Sequence, residues 1–490
     1  MRKAMERQHR LDCQPVLSVQ LNPNCRDEMI PILTALQHLY AQPELRDDIL
    51  RAIAADVNRH SSRKRGRQGL DYWPILVLAA VRLGCNLNYD KLQDLAEQHR
   101  ALRQSMGIGD CAEPDRFDWR RIRDNITLVR PQTLERINYL IVGAGHRLVP
   151  EAVQTARADS FVLETNIHYP TESSLIRDGL RKVLECSVAL ADLLGVGGWR
   201  QHRQLYRKAR RLVRAIDRLA ARKGTGYQAR LQGLYRELLK LAAMVLERAE
   251  RLRAHRSVQA AMDPEVLAED VPLKEFLRLT RLVCGTATRR VLEGQSVPNR
   301  DKLFSLFETH TQLYKRGKAA QPVQFGRQVL VYEDAVGFIT HAYLMPRTQD
   351  DHDVVVAQTR ALQQRLGGRI RQASFDRGFH SPDNQRDLAK IIPHLCLPMP
   401  GVHQAAQQQA QATLTFHQSR QRHPGIESAI NALQAGNGLA RCRDRSEQGF
   451  SRYLQLGVLG RNLHVLGKIL LADHDAQCHA AQSQRMKFAA

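Results

Sequence analysis

Three carboxylates in this chain stand in settings that could do chemistry. Asp376 lies in ASFDRGFH (Ala373–His380), where an apolar strand-like approach ends in the acid and is followed by Arg377, Gly378 and the helix opener Ser381–Pro382. Asp159 opens an apolar strand in ADSFVLETNIHY (Ala158–Tyr169), and Glu427 falls in the first turn of a helix predicted in HPGIESAINAL (His423–Leu433). An acid where a buried strand ends is held rigidly at the surface of a sheet, which is how a metal ligand is presented. Mg²⁺ takes oxygen ligands and keeps several waters, so two or three carboxylates suffice to hold a pair of ions. Two such ions roughly 4 Å apart can activate a water or hydroxyl, stabilise a leaving oxygen and neutralise charge on a phosphoryl group. A single Asp at a strand end is more often a cap or an ion-pair partner, so the weight rests on the three together. Glu164 is left out, because an odd offset from Asp159 along a strand points it to the opposite face.

The elements that must position these acids follow from periodicity. Residues 1 to about 60 read as helical, with apolar spacings of three and four in PILTALQHLYAQPELRDDILRAIAADV. The charged run SRKRGR (Ser62–Arg67) either touches phosphates or is a solvated linker. YWPILVLAAVRLG, a turn at CNLNY and YDKLQDLAEQHRALRQSMGI form two apolar-faced helices, compatible with a helix-turn-helix and equally with any helical hairpin. Further helix follows, in which Arg120, Arg121 and Arg123 either bind DNA or line a solvated face. Strand one spans Asp159–Tyr169, and long helices then occupy the chain to about Lys318. From Val323 the period becomes that of strands: a hairpin turning at Asp334–Gly337, a helix at VVVAQTRALQQRLGG, a strand at RQASFD and another at KIIPHLCLPMPG. A Gln- and Ala-rich stretch, HQAAQQQAQATLTFHQSRQRHP, precedes the Glu427 helix, and FSRYLQLGVLGRNLHVLGKILLA closes the fold as a packed helix. Periodicity alone supports a multidomain α/β chain.

Charge narrows the partner. The 490 residues carry a formal net charge of +23 with 43% hydrophobic residues, enough for a sizeable core and too basic to lack an anionic partner. Nucleic acid leads. A membrane is the rival, but no apolar run reaches the ~18 to 20 residues that a span requires. The amino terminus, MRKAMERQHRLDCQ, lacks the apolar stretch of a signal peptide, and the nine cysteines contain no CxxC pair, so a cytoplasmic chain with reduced thiols is expected. Within 200–256 there are 17 Lys and Arg against 4 Asp and Glu. Acids normally interleave on a solvated helix face, so their scarcity favours phosphate contact through residues such as Arg207, Arg210, Arg211 and Arg214.

With ETNIHYPTESSLIRDGLR, ASFDRGFHSPDN, GIESAINAL and RYLQLGVLGRNLHVLG in this order, the chain from about Trp119 onward resembles the insertion-sequence transposases of the ISNCY type, in the RNase H-like DDE superfamily. The resemblance implies a helical DNA-binding region over 1–148 and an RNase H-like mixed-sheet catalytic domain over 149–174 and 319–472; periodicity and charge give a helical basic insertion at 175–318 after the first strand, and residues 473–490 read as a frayed tail. The resemblance also implies cleavage and strand transfer of DNA by direct in-line phosphoryl transfer with two Mg²⁺ ions, Mn²⁺ being able to substitute. Asp159 would bridge both ions, with Asp376 completing one site and Glu427 the other. The implied partners are double-stranded element ends and target DNA, with a homodimer or higher oligomer forming on them, in the cytoplasm at the bacterial nucleoid.

Neighbouring residues leave alternatives open. Arg377 and His380 either contact a phosphate or form ion pairs, and Thr165, Asn166 and His168 either shape the site or stabilise a turn. Related transposases carry Tyr, Arg and Lys around the last acid where this chain has Arg420, His423 and Gln434, so that phosphate-binding signature is incomplete. Arg461 and Asn462 match a family motif whose chemistry the sequence does not reveal. A catalytically inactive DNA-binding protein and a metal-dependent nuclease without strand transfer are the competing functions.

Overall fold

The computed structural model describes residues 2–5, 13–59, 69–109, 117–222, 224–255, 263–315, 322–347, 349–399, 401 and 413–489. The SRKRGR run and residues 403–412 of the Gln- and Ala-rich stretch lie outside them. The chain is a mixed helix and sheet protein that divides into two compact units, Met1–Glu164 with Arg327–Ala490, and Thr165–Gly326.

Among the described residues of the first unit seven α-helices precede the sheet: α1 (Met29–Tyr40), α2 (Pro43–Val57), α3 (Tyr72–Gly84), α4 (Tyr89–Gln98), α5 (Arg100–Ser105), α6 (Trp119–Thr127) and α7 (Pro131–Leu148). Prolines open α2 and α7 at the first helical turn, where a missing N–H costs no hydrogen bond. α3 is apolar nearly all round, and every residue from Ile75 to Gly84 is buried, the behaviour expected of a helix without a polar face.

The second unit holds α8 (Glu172–Leu193), α9 (His202–Ala221), α10 (Tyr227–Ala254) and α11 (Pro264–Ala287), packed around their own core of Leu180, Leu190, Leu212, Leu238, Val245 and Leu277. Thr171 and Ser174 form a capping box at the start of α8. A three-residue strand, β2 (Gln312–Tyr314), lies inside the stretch read as wholly helical and pairs antiparallel with Gln324–Gly326.

The sheet is completed by β1 (Thr155–Thr165), β3 (Gln324–Asp334), β4 (Ile339–Leu344), β5 (Gln372–Phe375), β6 (His394–Cys396) and β7 (Arg441–Cys442). The order runs β2-β3-β1-β5-β6, with β4 on β3 and β7 on β1; β3 and β4 are an antiparallel hairpin, while β1, β5 and β6 are parallel neighbours. The helices α12 (Asp351–Arg365) and α13 (Pro382–Ala389) join these strands, and α14 (Leu414–Arg422), α15 (Gly425–Asn431) and α16 (Glu447–Ala489) follow. α16 runs on past Asp473, where the sequence places the start of a frayed tail.

Strand alternation sorts the first unit's core into two layers. Phe161, Leu163, Val329 and Val331 join a cluster with α1, α3, α7, α15 and α16. Ala156, Ala158, Leu330, Tyr332, Ala373 and Phe375 join another with Val354, Val355 and Leu362 of α12. Odd positions of β1 therefore face α15 and α16, and even positions face α12.

Candidate active site

The parallel ladder between β1 and β5 pairs Arg157 with Ser374 and Ala158 with Phe375. One residue further, Asp376 leaves β5 with an extended backbone (φ −74°, ψ 160°) beside Asp159, which stands inside β1 and does not open it as the sequence suggested, because the strand already begins at Thr155. Ala158 and Phe375 both turn into the α12 layer, so alternation sends both acids to the opposite face, the one α15 covers through Ile426 and Ala429. Glu427 is carried by α15, and its side chain is exposed. All three acids thus belong to one face of one unit.

Each Asp is tied locally: Ser160 N–H donates to Asp159 Oδ1 at 2.7 Å, and Arg377 N–H donates to Asp376 Oδ1 at 2.7 Å. On the other face of β1, Ser160 Oγ donates to Asp351 Oδ2 at 3.0 Å, and Gln328 Nε2 donates both to Ser160 Oγ at 3.0 Å and to Asp351 Oδ1 at 2.7 Å. That polar link joins β1, β3 and α12 one residue beyond Asp159 and so fixes the strand beside the acid.

A second set of contacts seats the α14–α15 corner on the acids' face. Arg157 Nη1 donates to the Arg422 carbonyl at 3.0 Å, and its Nη2 to Glu333 Oε2 at 2.6 Å. Glu333 is buried, and burial raises its carboxyl pKa against the lowering influence of Arg157 and Arg461. His423 Nδ1 lies 3.1 Å from Ser374 Oγ. Burial lowers the His423 pKa, Asp376 and Glu427 act to raise it, and Arg157 lowers it further. His423 thus links β5 to the α14–α15 corner, and its burial disfavours the charged ring.

Sequence reasoning passed over Arg157 and Ser374. Each precedes a site acid by two residues, Arg157-x-Asp159 and Ser374-x-Asp376, and that period-2 offset was the available signal for a shared face. Glu164 lies on the opposite pleat from Asp159 and accepts from Arg441 at 3.1 Å. Arg377 and Arg420 are exposed, and His380 is partly buried. Thr165, Asn166 and His168 belong to the other unit; the Thr311 hydroxyl donates to Thr165 Oγ1 at 3.1 Å, and His168 sits against Ser174 and Asp178 of α8.

The helices around 72–106, compatible in sequence with a helix-turn-helix or with any helical hairpin, form α3, α4 and α5. α3 is buried, α4 turns Asp90, Lys91, Asp94 and Gln98 outward, and Arg103 is buried, donating to the carbonyls of Ala96, Glu97 and Gly109.

The donor set at the acids' face is all carboxylate oxygen, which fits Mg²⁺ in kind. Among the described residues no group of three or more His, Cys, Asp or Glu side chains is gathered closely enough to hold a metal ion. The fit therefore lies in donor type and backbone placement. No helix of the described residues is long and apolar enough to cross a membrane. No family model, no curated protein and no solved structure matches the chain.

Proposed function

We propose that the chain is a DDE-type transposase that cleaves and joins DNA at element ends, with an RNase H-like catalytic domain interrupted after its first strand by the helical unit. The observation that carries the reading is the register of β1 and β5, which sets Asp159 beside Asp376 on the face that α15, with Glu427, also covers. The element order agrees: strand, helical insert, hairpin, helix, strand, final acid on a helix. Asp159, Asp376 and Glu427 would hold the metal. When bound, a pair of Mg²⁺ ions supplies an activated water or 3′-hydroxyl and charge neutralisation at the phosphate. The chain's own part is to hold the carboxylates rigidly: Arg157 and His423 pin the α14–α15 corner to the strands, and the Ser160–Gln328–Asp351 link fixes β1.

A catalytically inactive DNA-binding protein is the second reading, favoured by the ungathered state of the carboxylates among the described residues. Incubation of the chain with Mg²⁺ and a supercoiled plasmid bearing the DNA that flanks its coding sequence separates the possibilities. Joined products support the transposase, nicks alone a nuclease, and intact plasmid despite binding the inactive protein.

A further inference from the structure

Seven of the twenty residues of α9 are basic, Arg203, Arg207, Lys208, Arg210, Arg211, Arg214 and Arg218, and the helix contains one acid, Asp217. Its apolar stripe, Ala209, Leu212, Val213 and Ile216, is buried in the core of the second unit. On the opposite side Arg207, Arg210, Arg211, Arg214 and Arg218 line one open groove with Asp217. Among the described residues none of Arg207, Arg210, Arg211 and Arg214 forms an ion pair.

The neighbouring helix is less basic, with six Lys and Arg against three Glu in 28 residues, and differs in what most of its cations do. On α10, Arg251 pairs with Glu247 at 2.5 Å, and Arg253 pairs with Asp270 at 2.7 Å and Glu250 at 3.4 Å. Arg248 lies over the Trp199 ring at 4.7 Å and donates to the Gly198 carbonyl, while Arg230 donates to the Thr225 carbonyl. The charge excess of residues 200–256 therefore divides unevenly: four of the six α10 cations are engaged in the unit's own contacts, with Arg236 and Lys240 exposed, whereas on α9 Arg210 lies over the Tyr206 ring at 6.0 Å, Arg218 donates to the Arg214 carbonyl at 3.3 Å, and the row carries one acid.

We infer that the outer face of α9 is a sequence-independent contact surface for the phosphates of duplex DNA, and that α10 is not. The inference rests on the transposase reading for the choice of DNA and not for the contact itself. Like charges three and four residues apart on a helix repel one another, and a polyanion relieves that repulsion. From Arg207 to Arg218 the row is about 16 Å long at ~1.5 Å per residue, roughly half a turn of B-form duplex. A membrane surface fits less well, because an interfacial helix needs an apolar face to sink into lipid and that of α9 is already buried.

The test uses the full-length chain without divalent metal, with binding to random and flank-derived duplexes followed by fluorescence anisotropy across salt concentrations. Replacing Arg207, Arg210, Arg211 and Arg214 together by Gln should weaken both duplexes alike and flatten the log K against log salt slope by about three to four, at ~0.9 per lost contact. The fourfold Lys variant should keep the slope, and Arg248→Gln with Arg251→Gln on α10 should leave it unchanged. Should the fourfold Gln variant not fold, the pairs Arg207→Gln with Arg210→Gln and Arg211→Gln with Arg214→Gln should each flatten it by about two. An unchanged slope in the Gln variants overturns the inference, as does an equal loss from the α10 pair. Retention of anionic vesicle binding with no duplex binding would overturn it too. Cleavage is scored separately: a chain that cuts DNA with an unaltered Gln slope refutes the α9 surface alone, and a flattened slope without cleavage refutes the catalytic reading alone.

Discussion

Asn462 of α16 is hydrogen bonded to both backbone groups of Ile339, the first residue of β4: Ile339 N–H donates to Asn462 Oδ1 at 2.8 Å, and Asn462 Nδ2 donates to the Ile339 carbonyl at 3.0 Å. The side-chain amide takes the place of a strand neighbour, and Asn462 is fully buried. Asn462→Ala would strand a buried donor and a buried acceptor, each costing about 1–3 kcal/mol. We expect a loss of about 2–4 kcal/mol, read from the urea midpoint with an unchanged m-value. A loss below about 1 kcal/mol would show that water or a relaxed hairpin replaces the amide.

That pair also marks where sequence reading stops. RYLQLGVLGRNLHVLG was legible as a motif, but its physical purpose was not, because the partner of Asn462 is 123 residues away. The motif's glycines behave likewise. A Cβ on Gly460 would run into the backbone of Gly84, and one on Gly467 into that of Pro31, so α16 packs against α3 and α1 at a distance that only glycine permits. The alternation of Val329 to Tyr332 was readable, since each successive residue enters the opposite core layer. β2 was not readable, because three residues are too few to show a period. The acids could be picked out individually. That Asp159 and Asp376 are neighbours depends on the β1–β5 register, which no local pattern encodes. The basic excess of 200–256 was countable, whereas its division between α9 and α10 depends on Glu247, Glu250, Asp270 and Trp199 meeting particular arginines.

His464, partly buried on α16, has its pKa lowered to about 4 by burial and by the nearby charges of Lys468 and Arg461. In the unfolded chain the same imidazole titrates near 6.5. Below pH 6.5 the unfolded state therefore takes up a proton that the folded state refuses until about pH 4. Stability contributed by neutral His464 is complete above pH 6.5 and falls as the pH drops from there towards 4. Because the ring is not fully buried, solvent screening holds the loss to about 1–2 kcal/mol. His464→Gln should flatten the denaturation midpoint against pH over that window while leaving it unaltered at pH 8, and an equally steep profile in the variant would assign the dependence elsewhere.

The strongest prediction concerns which acids matter at the candidate site and which do not. Asp159→Asn, Asp376→Asn and Glu427→Gln each keep the side chain's shape and remove one metal-ligating charge. Losing a ligand that offsets several kcal/mol of developing charge should slow plasmid cleavage by ~10³-fold or more. Binding to duplex DNA should persist, because none of the three sits on the basic face of α9. Glu164→Gln is the internal control: it lies on the opposite pleat, engaged with Arg441, and cleavage should stay within about threefold of the parent. Metal binding gives a readout free of activity, since Mg²⁺ that binds only the folded chain raises its melting temperature, and each of the three substitutions should abolish that rise. A variant among the three that both cuts DNA and keeps the Mg²⁺-dependent rise would remove its residue from the ligand set, and loss of cleavage in Glu164→Gln would mean that the strand's register does not decide which carboxylates serve.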